Sequence, residues 1–146
     1  MSQNHEIKVI YLPKNELIET IFIHDDFFCY LWETQPLQHE LINKFPVFYP
    51  DEIDLENLNK FQNMKPAKKG IGFTGVNILN SSSFEELLSN FVKWKTLMEE
   101  VEDYTLYESN YEFIKEDLTC NLEKLITLLK NISLNKTEYI LLWEGI

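Results

Sequence analysis

Between Glu99 and Asp117 the chain reads EEVEDYTLYESNYEFIKED, eight carboxylates against the single Lys115, with Tyr104, Tyr107, Tyr111 and Phe113 set among them. Carboxylates attract cations, and tyrosines between them add flat apolar area ending in a hydroxyl. Together they suit a protein contact with lysine and arginine on the other side. The preceding segment reads as a helix, so Glu99, Glu100, Glu102 and Asp103 crowd its C-terminal end. There the macrodipole disfavours each badly placed negative charge by roughly 0.3 to 1 kcal/mol. A local conflict of that kind is expected where a surface is shaped for function rather than stability. The candidate contact residues are therefore Glu99, Glu100, Glu102, Asp103, Tyr104, Tyr107, Glu108, Tyr111 and Glu112. The competing reading makes the acids a solvated face, with Tyr104, Tyr107 and Tyr111 packed at a helix–helix junction.

Other chemistry-bearing residues form no comparable pattern. Gly70-Ile71-Gly72-Phe73-Thr74-Gly75 fits G-x-G-x-x-G and stands next to Lys68 and Lys69. A dinucleotide loop of that form follows a strand and opens a helix whose N-terminus meets the phosphates. Here KFQNMKPAKK precedes it and the strand-like VNIL follows, so glycines at a bend or bulge account for the match better. His24-Asp25-Asp26 holds metal-ligand types, but His5 and His39 stand at no ligand spacing from it, and a strand-end histidine beside turn carboxylates is the plainer reading. Cys29 and Cys120 belong to no CxxC pattern and read as reduced core thiols. Ser81-Ser82-Ser83 is explained by the approach to a helix. With no nucleophile, acid–base pair or metal set, the expectation is a protein that is not an enzyme and takes neither cofactor nor metal.

The elements that would position these residues follow from periodicity. IKVIYL, LIETIFIH and FFCYLWE, separated by Pro13-Lys14-Asn15 and Asp25-Asp26, read as an antiparallel meander. In the second run Ile18, Thr20, Phe22 and His24 share one face and Ile21 and Ile23 the other, so that strand is expected to be buried on both sides. A helix over Asn15 to His24 is the competing assignment. LQHELINKF and LENLNKFQNM read as short helices, PVFYP as extended chain and IGFTGVNIL as a strand after a lysine-dense loop. Ser83-Phe84-Glu85-Glu86 reads as a capping box opening a helix with the stripe Phe84, Leu87, Leu88, Phe91, Val92, Met98 and Val101. A second box, Ser109 to Glu112, opens a helix burying Ile114, Leu118, Leu122, Leu125, Leu129 and Ile132. TEYILLWEGI closes as a strand tied to the N-terminal meander, and Trp32, Trp94 and Trp143 fall in apolar, core-like patterns. The expected architecture is one α+β domain over residues 1–146, with helices packed on one side of a mainly antiparallel sheet.

Totals narrow the partner. At 146 residues and 45% hydrophobic, the chain can bury about 68–70% of its unfolded surface in one core without disulfides. Its net charge of -11 repels nucleic acid and anionic membranes and favours a basic protein, whose association it can accelerate by about 10 to 1,000-fold. All 13 basic residues are lysine, so the arginine fork that suits phosphate or base recognition is missing. MSQNHEIKV lacks the basic start and apolar run of a secretory signal, and no apolar stretch reaches a membrane span, so a cytoplasmic location is expected.

In short length, acidity and absence of catalytic motifs, the chain resembles the immunity proteins of bacterial toxin–immunity pairs, including contact-dependent growth inhibition systems. The resemblance covers the whole chain in size and charge. It implies a partner that is a toxin domain, often a basic nuclease, whose active site or adjoining surface the immunity protein blocks. On that implication Glu99 to Glu112 would imitate a run of phosphates in the toxin's cationic cleft. A phosphate- or nucleotide-binding protein using Gly70–Gly75, and an acidic adaptor or assembly protein, are the alternatives.

Overall fold

The computed structural model describes residues 4–35, 45–48, 68–69, 75–102, 111–132 and 138–145. The period-two patterning of the N-terminus forms a hairpin of β1 (Asn4–Tyr11) and β2 (Glu16–His24). A single 3-10 turn, Leu12–Lys14, connects them. Asn15 closes it in the left-handed region at φ 48°, donating its N–H to Leu12 O at 3.1 Å. Asparagine enters that region more readily than most side chains. Glu16–His24 is thus strand, as first read, and not the competing helix. The expectation that both its faces are buried fails, because β2 is the outermost strand: Ile21 and Ile23 are buried while Leu17, Ile18 and Phe22 are exposed.

Further strands are β3 (Pro46–Phe48), β4 (Lys68–Lys69), β5 (Val76–Leu79) and β6 (Tyr139–Glu144). Among the described residues they complete one antiparallel sheet in the order β2-β1-β6-β5-β3-β4. The TEYILLWEGI strand therefore does join the N-terminal hairpin. Alternation assigns its faces: Leu141 and Trp143 join Ile7 and Val9 beneath the helices, while Ile140 and Leu142 join Ile10 and Val76 in a second buried cluster.

Among the described residues three helices cover the first face: α1 (Asp25–Thr34), α2 (Ser81–Glu99) and α3 (Lys115–Ile132). The fold is α+β with helices on one side of an antiparallel sheet, as expected. The core is rich in aromatic ring contacts. Trp94 meets Phe27, Phe28 and Phe91 edge-on at 5.6 to 5.9 Å between centroids, and Trp143 lies 5.7 Å from Phe28. Burying one such side chain contributes about 1.5–3 kcal/mol, and the offset geometry adds to it.

FFCYLWE is α1, not a third meander strand. His24 caps the helix, its Nδ1 accepting from Asp26 N–H at 3.0 Å, and Asp25 and Asp26 complement the N-terminal dipole. Phe27, Phe28 and Leu31 then reach the core at helical spacing. Trp32 consequently faces outward, 61% exposed, and both cysteines are exposed free thiols rather than core residues. Helix α2 begins at Ser81 rather than after Ser83, because Asn80 Oδ1 accepts from Ser82 N–H at 3.1 Å and supplies the cap. Helix α3 begins at Lys115, with Tyr111 to Ile114 outside it, so the Ser109 to Glu112 box does not open it. Its face from Leu118 to Ile132 is buried as expected, whereas Ile114 is 63% exposed and Val92 is also exposed. Leu37–Lys44 and the LENLNKFQNM helix lie outside the described residues, as do Gly70–Thr74. No helix of the described chain is long and apolar enough to cross a membrane.

Candidate functional site

The site forms where the end of the acidic sequence folds back on α1. Tyr111 donates its hydroxyl to the Glu33 carboxylate and sets its ring edge-on to Tyr30 at 5.5 Å. Glu112 donates its backbone N–H to Asp26 Oδ2 at 2.7 Å, and its carboxylate lies 3.8 Å from His24 Nε2. Phe113 anchors the segment from below, buried against Phe27 and Tyr30. Asp26, Glu33, Glu112 and the Tyr111 ring thus share one surface, and α1 also carries the exposed Trp32, next to Glu33 in sequence. An exposed indole next to carboxylates can take a lysine or arginine through its π face while the acids take the charge.

Burial, reinforced by Glu33, pushes the Tyr111 phenol up to about 12, so it remains a donor. Burial and then Asp25, Asp26 and Glu33 raise the Cys29 thiol, away from the thiolate a nucleophile needs. One pair does look catalytic: His5 Nε2 lies 2.7 Å from Asp25 Oδ1. But His5 is fully buried, and its Nδ1 accepts the indole N–H of Trp143 at 3.0 Å, so neither nitrogen is offered to a substrate. Among the described residues no three His, Cys, Asp or Glu side chains are grouped to hold a metal ion.

A cleft of about 520 Å³ borders the surface, lined among others by Phe22 and His24 of β2, Glu112, Ile114, and Asp117 and Lys124 of α3. The exposed Phe22 and Ile114 give it an apolar rim beside acids. It is the kind of concavity a projecting basic side chain can enter.

The sequence candidates divide. Tyr111 and Glu112 are part of this surface. Glu99, Glu100 and Glu102 are exposed at the end of α2, where Glu99 pairs with Lys95 at 3.2 Å and Lys95 also holds Glu123 of α3 at 2.9 Å. The macrodipole conflict there is eased by Lys115, whose Nζ donates to Val101 O at 2.8 Å. Asp103, Tyr104, Tyr107 and Glu108 lie outside the described residues. Asp26, Trp32 and Glu33 were missed with α1 itself; the signal available was Asp25-Asp26 heading a run with apolar residues at helical spacing. Of the glycine motif, Gly75 leads into strand β5, its carbonyl accepting from Gly145 N–H at 3.0 Å, where a dinucleotide loop would lead into a helix.

No protein-family model, no curated protein and no solved structure matches the chain.

Proposed function

We propose that this protein is an immunity-type inhibitor that binds a basic toxin domain, in the first instance a nuclease, and occludes its active site or substrate surface. The observation that carries the reading is the surface on which Asp26, Glu33 and Glu112 are gathered around Tyr111, with the exposed Trp32 on the same helix, in a chain of net charge -11. Tryptophan and tyrosine are among the residues that most often dominate the energy of a protein interface. The negative field steers a cationic partner and discourages nucleic acid. The acids then occupy the positions that a nuclease's phosphate substrate would take, which converts binding into inhibition.

The test is co-expression with the toxin domain encoded beside this gene. Survival of cells making both, together with a stable complex of the two purified proteins, is the expected result. Death of those cells, or a neighbourhood with no secreted toxin gene, removes the immunity assignment. Recovery of an assembly factor instead of a toxin points to an acidic adaptor.

A further inference from the structure

Among the described residues β2 pairs with β1 alone, so its other edge is the margin of the sheet. That edge is closed at one end by α3, where Asn121 Nδ2 donates to Phe22 O at 2.8 Å. In an antiparallel strand a residue turns its N–H and C=O to the same side, and alternate residues turn to opposite sides. The Phe22 bond therefore places the N–H and C=O of Thr20 on the outer edge too. Leading up to Thr20, the strand from Glu16 to Glu19 is exposed, with Leu17 at 52% and Ile18 at 49%. Ile18 is the extra residue of a bulge, where pairing steps from Val9–Glu19 to Ile10–Leu17.

An apolar strand edge in this state is a template for another strand. A second copy is a poor occupant, because antiparallel pairing centred between Leu17 and Ile18 sets Glu16 against Glu19 in two chains that each carry -11. The same two acids complement a strand with lysine or arginine alternating with apolar residues. We infer that the outer edge of β2 accepts an extended basic segment of a partner protein by strand addition along Glu16–Thr20. Backbone pairing attaches the segment, Leu17 and Ile18 supply apolar contact, and Glu16 and Glu19 select for cationic side chains. This rests on the basic-partner reading above, but not on the partner being a toxin.

The experiment follows backbone amide resonances of the isotope-labelled protein as a short peptide alternating lysine and valine is added, with a glutamate–valine peptide as control. Shifts and slowed amide exchange centred on Glu16–Thr20 are expected with the lysine peptide only. Thr20→Pro removes an outward donor at an edge position that tolerates proline, and should weaken binding by about tenfold or more at unchanged melting temperature. Glu19→Lys, a charge reversal at an exposed position, should weaken it as well. Shifts confined to α1 and Tyr111–Glu112 would overturn strand addition while preserving the basic-partner reading. Absence of any shift, or concentration-dependent self-association through β2, would also overturn it, with the co-expression result standing independently.

Discussion

Trp143 donates its indole N–H to His5 Nδ1 at 3.0 Å, diagonally across the β6–β1 pair, and so decides where the imidazole keeps its proton. An indole nitrogen can only donate, so Nδ1 is the acceptor and Nε2 carries the hydrogen directed at Asp25 Oδ1, 2.7 Å away. Burial lowers the His5 pKa below its ordinary 6.5, against the smaller opposing pull of Asp25. The unfolded chain then takes up a proton that the folded chain refuses. The stability His5 contributes is complete above about pH 6.5 and is lost as pH falls from there towards its folded pKa, by at most about 1.4 kcal/mol per pH unit. Urea unfolding of the wild type and His5→Gln between pH 5 and 8 should show a difference in free energy that shrinks on acidification. A constant difference would mean that the ring titrates alike in both states.

The start of α2 yields a second test. Asn80 Oδ1 accepts from Ser82 N–H, whereas the capping-box pattern in the sequence places the cap at Ser83. Asn80→Ala should cost about 1 kcal/mol of stability, within the 0.5–2 kcal/mol range of cap removals. Ser83→Ala, already inside the helix, should change the unfolding free energy little. Reversed sensitivities would shift the cap three residues along.

The fold was only partly legible in the sequence. The hairpin, the C-terminal strand beside it and the buried faces of α2 and α3 could be read because their periodicity is long and consistent. FFCYLWE could not, since its aromatic residues favour a strand locally. The helix is decided by His24 and Asp26 at the cap and by the sheet face that Phe27, Phe28 and Leu31 cover, and the latter is a tertiary term. Losing α1 also lost Trp32 and Glu33. The charge of the candidate surface was visible in Tyr111 and Glu112, but its second half lies 78 positions away in sequence at Glu33, and only the folded chain joins them.

Inside α2, Asn90 is buried and its Nδ2 has no hydrogen-bond partner among the described residues. An unsatisfied buried donor costs roughly 1–3 kcal/mol, and an apolar side chain of similar shape avoids that cost. Asn90→Leu should therefore raise the melting temperature, with a gain of about 1 kcal/mol in urea unfolding. A loss of stability would show that the amide is satisfied in solution, by a water for instance.

The two acidic regions can be separated as binding surfaces. With the purified basic partner domain, Trp32→Ala should weaken the complex by at least about 2 kcal/mol, roughly 30-fold in Kd, chiefly through faster dissociation. Glu112→Lys should instead slow association and flatten its dependence on ionic strength, because an exposed charge acts mainly through long-range steering. Glu102→Lys, at the end of α2, tests the region first singled out from the sequence. If the contact is centred on α1, its effect should be the smaller of the two reversals, limited to the change in overall charge. Association rates measured over a salt series for the three variants would decide the matter. Equal slopes for Glu102→Lys and Glu112→Lys, with Trp32→Ala silent, would move the contact off α1.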